Sequence, residues 1–326
     1  MNSNTYNRLE GNPIEEQELK QRLNDFDKIV VHHKLFQDLY QAVRECHVLK
    51  RGVVILGDTG AGKSTLFKTY ERDFQRKTKV RVRNKHEENY ESVPVLRVEL
   101  DSNSKPLNVA SKMLEELGDP FHYKGTEKQL TSRLKAHLID AEVELIIIDE
   151  LQHLIDTDTQ RVIRKAADWL KQLLNDVNLP IVFGGIKEDA NRIFASNKQL
   201  DERFPHKATF DGFMYRTEEE KREFRAFLKS IDYKMPFPDR SHIYDPLLAE
   251  KIYYATLGIP RTLNHLFHHS IKFALKQGMD TLAEMHLEYG FSLLSFETRP
   301  KVRNPFDGKA FDLKVALENE KTSKGV

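Results

Sequence analysis

The chain is poor in everything that would tie it to an oxidising compartment, a membrane or a metal cluster. A single cysteine, Cys46, stands among 326 residues. That excludes an internal disulfide and any cysteine-rich zinc site, and it fits a reducing compartment. No apolar run approaches the roughly 20 residues that a membrane-crossing helix needs. The opening Met1-Asn2-Ser3-Asn4 is polar and does not read as a secretory leader. We therefore expect a cytoplasmic protein without membrane contact. Excess charge of one sign is also missing: 51 Lys and Arg face 50 Asp and Glu, so no overall field draws nucleic acid and any such affinity must be local. Internal repeats, low-complexity tracts and an Asn-Lys-x-Asp loop for reading guanine are absent.

What is present is a complete GxxxxGK[ST] loop, Gly57-Asp58-Thr59-Gly60-Ala61-Gly62-Lys63-Ser64, between the apolar Val53-Val54-Ile55-Leu56 and a helix opening at Thr65. The glycines let the backbone wrap a phosphate chain with its N–H groups inward, and the helix offers its positive end to the same anion. Lys63 is expected to reach the β- and γ-phosphates, and the Ser64 hydroxyl to occupy one Mg²⁺ position. A chance glycine turn would not bring this strand and this helix with it. Residues 57 to 65 are thus the expected ATP-binding residues, ATP being preferred for want of the guanine loop.

A second element follows at Leu145-Ile146-Ile147-Ile148, a continuous apolar run suited to a strand buried on both faces, which ends in Asp149-Glu150. Carboxylates at such a strand end stand where ligands gather in open α/β sheets. Asp149 is expected to hold Mg²⁺ together with Ser64, and Glu150 to polarise a water for in-line attack on the γ-phosphate.

Strands are expected at 53–56, 95–100, 145–148, 180–183 and 208–210, alternating with helices, which argues for a parallel sheet wound by right-handed crossovers. Thr126 with Gln129 is a capping-box start. Beyond Gly212 the apolar spacing turns helical. The expected organisation is an N-terminal arm, 1–25, a nucleotide-binding core, 26–212, a helical lid, 213–295, and a tail, 296–326. Between Arg72 and Lys85 lie seven basic residues and one acid, a second candidate for DNA contact, although charge runs are usually solvated faces. His265, His268 and His269 share helical spacing but have no acidic or cysteine partner in sequence, so no metal site is expected. Trp169 with its apolar neighbours is read as core or subunit contact.

Two arginines stand out. Arg203, in Glu202-Arg203-Phe204, lies between a helix and the fifth strand, a position that in ring ATPases faces a neighbour's γ-phosphate. Arg261 follows Gly258-Ile259-Pro260 at a helix start, where a cation could meet the nucleotide. A finger supplied in trans contributes about 10³–10⁵ in rate. With Lys63 and Glu150, Arg203 completes the expected catalytic set, and Arg261 joins the ATP-binding residues.

The order of these motifs, with Asp149-Glu150-Leu151-Gln152-His153 and Gly125-Thr126, resembles the TnsC/TniB family of AAA+ transposition regulators over about residues 25–295. The resemblance implies a AAA+ P-loop NTPase: a parallel sheet flanked by helices, with a small C-terminal helical lid. It further implies an ATPase that assembles as a ring or helical filament on duplex DNA without sequence specificity. That assembly would answer to a target-selection adaptor such as a TniQ-like protein, recruit the transposase, and come apart on hydrolysis. The family's DNA contacts correspond here to Lys105 and Thr126, with Lys124 nearby. One departure matters. Many AAA+ proteins carry Asn or Thr after the fourth strand as a γ-phosphate sensor, whereas this chain has Gly184-Gly185-Ile186-Lys187. Lys187 or a backbone group must then serve, or hydrolysis is slow. Two rivals remain: a protein remodeller, disfavoured because 101–105 has no aromatic pore loop, and a signalling switch, disfavoured by Glu150 and Arg203. In the tail, Asn304-Pro305-Phe306 is expected to be a linear docking motif.

Overall fold

The computed structural model describes residues 14–83, 85–102, 104–155 and 160–321. Residues 1–13 of the expected arm, Met1 to Asn4 among them, and 322–326 of the expected tail lie outside that set. The chain divides into two units, one spanning Lys34–Asp211 and one joining the described residues up to His33 with those from Gly212 onward. The first helix, α1 (Glu16–Asp27), belongs to the latter.

In the Lys34–Asp211 unit, helix α2 (Lys34–Leu49) leads into β1 (Val53–Leu56), and α3 (Lys63–Asp73) follows. A hairpin, β2 (Lys77–Arg83) and β3 (His86–Ser92), precedes β4 (Val95–Glu99), α4 (Pro106–Glu116) and α5 (Glu127–Asp140). Then come β5 (Leu145–Asp149), α6 (Gln160–Val177), β6 (Ile181–Gly185), α7 (Lys187–Ala195), α8 (Lys198–Asp201) and β7 (Lys207–Thr209). The sheet order is β4-β5-β6-β1-β7, all parallel. Every residue of β1, β5 and β6 is buried, as the unbroken apolar runs require of strands covered on both faces. Chain order reverses at β1, so the carboxyl ends of β1, β6 and β5 line the crevice where such sheets take ligands. Register fixes the level: Leu56 pairs with Gly185, and Glu99 with Asp149. Phe183, Phe194 and Phe204 close the core beneath with ring centroids 5.0 to 5.9 Å apart, and Trp169 is buried in the same core.

The basic run is the first correction. Most of it is an exposed strand of the antiparallel β2–β3 pair, and acids on β3 and at the ends of α4 and α5 pair with its basic side chains. Arg76 meets Glu91 and Glu116, Lys79 meets Glu142, and Arg81 meets Glu88 and Asp140. The alternation Lys79-Val80-Arg81-Val82-Arg83 is a strand pattern that its charge disguised.

The second unit packs α1 with α9 (Glu218–Asp232), α10 (Pro246–Thr256), α11 (Pro260–Lys276), α12 (Glu284–Ser292) and α13 (Leu313–Lys321). Leu19, Leu23 and Phe26 of α1 enter the same core as Phe224, Leu228, Leu263 and Phe267, so the described part of the expected arm is a packed helix. Thr217 and Glu220 form a capping box that starts α9. The tail motif needs a second correction. Phe306 is only 2 % exposed within this core, its N–H donates to Asn304 Oδ1 (3.0 Å), and Asn304 Nδ2 donates to the Glu288 carbonyl (3.2 Å). The aromatic is a plug supplied by an irregular turn, which leaves no periodicity to read. His268 also has the acidic partner that its sequence neighbourhood lacks, Asp27 at 3.0 Å. Among the described residues no cluster of three or more His, Cys, Asp or Glu side chains suits a metal ion, and no helix is long and apolar enough to cross a membrane.

Candidate functional site

The glycine loop leaves β1 between two strands that both hold it. Gly57 N–H donates to the Gly185 carbonyl (3.1 Å) on β6, and Phe210 N–H donates to the Leu56 carbonyl (2.6 Å) just past β7. A side chain at position 57 would begin 2.0 Å from the Phe210 carbonyl oxygen, so only glycine fits. The chain then turns through residues 58–62 and enters α3, whose start bears no side-chain cap and leaves its first N–H groups to the loop. Lys63, 4 % exposed, folds back over the loop and donates to the Gly57 (2.7 Å) and Asp58 (3.0 Å) carbonyls. Those bonds keep a buried ammonium satisfied against the loop. Ser64 is half-buried and Thr65 exposed on the same first turn.

Asp149 ends β5 with its carboxylate fully buried. Oδ1 accepts from the Glu150 N–H (2.9 Å), while Oδ2 is buried without a hydrogen-bond partner. Burial pushes this carboxyl above the usual range, the Ser64 hydroxyl and the Glu150 N–H oppose that shift, and the charges of Glu150 and Glu99 add to it. A bare buried oxygen beside a serine hydroxyl, with further carboxylates at the same strand ends, is a donor set for a hard divalent cation such as Mg²⁺. Ser64 and Asp149 therefore fit the metal role.

Glu150 sits in the left-handed region (φ 60°, ψ 43°), which costs a residue with a side chain on the order of 1 kcal/mol or more. The kink turns the chain off the sheet into a single 3₁₀ turn, Leu151–Leu154, and presents the Glu150 carboxylate, half-buried, beside Asp149. Its immediate partner is Gln152, part of the Asp149–His153 motif but assigned no role from the sequence. Gln152, 9 % exposed, donates from Nε2 to Glu150 Oε2 and accepts at Oε1 from the Ile186 N–H (3.1 Å). Lys187, the sensor candidate, is exposed on the first turn of α7.

Lys63, Ser64, Asp149 and Glu150 thus come together at one sheet edge. Arg203 does not join them: it is exposed just past α8 and donates to Asn175 Oδ1 on α6 (2.5 Å). Arg261 is exposed beside Pro260 in the first turn of α11 and belongs to the helical unit. Of the DNA candidates, Lys105 is the exposed N-cap residue of α4, and Thr126 caps α5 through a reciprocal bond pair with Gln129. The Lys124 ammonium lies over the Phe121 (5.0 Å) and Tyr123 (5.5 Å) rings. A residue the sequence did not flag orders that loop: Arg133 donates to the Lys124 (3.0 Å) and Phe121 (2.6 Å) carbonyls and pairs with buried Asp119 (3.0 Å).

Comparison with known proteins bears on the family and the fold. A family model described as "Bacterial TniB protein" matches residues 19–211. No curated protein matches the sequence. Among solved structures, the Aeropyrum pernix ORC2 protein, in ADPNP-ADP complexes, is similar at 16% identity and a TM-score of 0.60, covering 84% of this chain and 73% of that one. Cdc6p from Pyrobaculum aerophilum is similar at 13% identity and a TM-score of 0.60, covering 84% and 71%. These likenesses are of fold: a parallel five-stranded sheet flanked by helices, with further helices toward the C-terminus.

Proposed function

Because the chain belongs to the TniB family, matched over residues 19–211, we propose that it is an ATP-hydrolysing regulator of DNA transposition. In this reading it assembles on target duplex DNA, recruits the transposase under the direction of a TniQ-like adaptor, and disassembles when ATP is spent. The observation that carries the nucleotide part is the convergence of Lys63, Ser64, the bare Asp149 Oδ2 and Glu150 at the ends of β1 and β5.

The residues divide the work as follows. Lys63 exchanges its two carbonyl acceptors for phosphate oxygens, an exchange of neutral for charged partners that strengthens each bond. The loop N–H groups hold the remaining phosphate oxygens. Mg²⁺, held through Ser64 and Asp149, would draw charge from the terminal phosphates. Glu150 orients the attacking water and takes its proton. Arg203, exposed on the core unit, suits a pocket in a neighbouring subunit, which makes hydrolysis depend on assembly. Lys105, Lys124 and the α5 start capped by Thr126 are assigned to phosphate oxygens, contacts that track a duplex without reading bases.

Lys63→Ala tests the premise. Its ATP affinity should fall at least tenfold and nucleotide-dependent assembly on duplex DNA, imaged by electron microscopy with a non-hydrolysable ATP analogue, should disappear. Unchanged affinity and unchanged assembly would remove the assignment.

A further inference from the structure

Near the end of β6, Gly184 has no room for a side chain and Gly185 has little. A Cβ at Gly184 would begin 2.3 Å from the Phe67 ring and 2.8 Å from Asp149 Oδ1, and one at Gly185 would begin 3.2 Å from both Leu151 Cβ and Gln152 Oε1. The room beside the strand is already taken from the neighbouring strand's exit, where Gln152 reaches across. Its carboxamide spans two functional groups. Oε1 is pinned by the Ile186 N–H (3.1 Å), and Nε2 donates to the Glu150 carboxylate. Gly185 in turn accepts from the Gly57 N–H (3.1 Å), so the amide lies in one layer with the first residue of the phosphate loop and with the candidate base.

This constrains what the amide can do. An amide has two N–H donors and one acceptor oxygen, and here the acceptor is committed to the backbone, which fixes the plane. The donor end is left free to change partners without moving the rest. Bonded to Glu150, Nε2 fixes the direction of the carboxylate. A neutral donor is also the kind of group that recognises a terminal phosphate oxygen without altering the net charge of the site.

We infer that Gln152 is the positioning residue of the hydrolytic step, replacing the sensor side chain for which Gly184 has no room. With a triphosphate bound, Nε2 donates to a terminal phosphate oxygen and frees Glu150. With a diphosphate it returns to Glu150. In the step itself the water oxygen bonds the terminal phosphorus, the bond from that phosphorus to the ADP oxygen breaks, and the water proton passes to Glu150. The inference rests on the nucleotide-site reading above and adds to it the residue that tells three phosphates from two.

Gln152→Met keeps length and removes both hydrogen bonds, and Gln152→Glu keeps shape and removes the donor. Binding of ATP and of ADP to the full chain with Mg²⁺, measured separately from turnover, gives the test. Both variants should bind ADP within about twofold of the unaltered chain, lose about tenfold or more of the preference for ATP, and turn over ATP about tenfold or more slowly, the scale of one hydrogen bond to a charged group. Unchanged preference in either folded variant, equal weakening for both nucleotides, or turnover faster than that of the unaltered chain would each overturn it. An unaltered chain that binds neither nucleotide would overturn the nucleotide-site reading as well, and that result is seen before any variant is compared.

Discussion

At the scale of single residues, two side chains make opposite demands on their surroundings. Glu150 is held in a left-handed backbone conformation and half-exposed, a strained position suited to presenting a carboxylate rather than burying one. Glu150→Gln should keep ATP affinity within about threefold, cut turnover about 10²-fold or more, and leave the assembled state trapped. Normal turnover would mean that another group takes the proton. His33, in the helical unit, packs on Phe213 and Phe227 with ring centroids 4.8 and 5.7 Å away. Burial, aided by His32, lowers its pKa from 6.5 to about 4. The neutral ring is the one the fold accepts, so its contribution is whole above 6.5 and is lost as pH falls from there toward 4. Melting followed across that window should show His33→Phe losing less stability on acidification than the unaltered chain, and parallel losses would contradict the assignment.

At the scale of elements, what could be read in the sequence depended on whether neighbours along the chain carried the information. The phosphate loop, the five parallel strands and the Thr126–Gln129 capping box are local patterns, and each is found where its residues foretold it. Three features are not local. The β2–β3 hairpin hid behind its charge, because the Glu residues that neutralise β2 lie on β3 and near the α5–β5 turn. The Phe306 plug comes from a turn without period, and Gln152 gains its meaning only from β6, thirty-four residues on. The hairpin yields a prediction of its own. Because Lys79 and Arg81 already face carboxylates, Lys79→Ala with Arg81→Ala should weaken duplex binding less than Lys105→Ala alone. A larger loss of DNA affinity from the hairpin pair, in a salt titration of both variants, would make the hairpin the DNA contact.

At the scale of the whole molecule, the proposed function couples fuel use to assembly. The core unit holds the phosphate loop and the proposed metal ligands and base within one chain, whereas Arg203, exposed just past α8, is bonded to Asn175. Arg203 is therefore assigned to the pocket of the next subunit, and the near balance of 51 basic and 50 acidic residues leaves DNA attraction to local contacts multiplied by assembly. The most direct measurement is ATP turnover per subunit across a wide range of protein concentrations, with and without duplex DNA, for the unaltered chain and for Arg203→Ala. The account predicts turnover that climbs with concentration and with DNA, and a loss of about 10³-fold or more of that stimulated rate in Arg203→Ala. Turnover that stays flat from the most dilute to the most concentrated sample, indifferent to DNA and to Arg203, would contradict it.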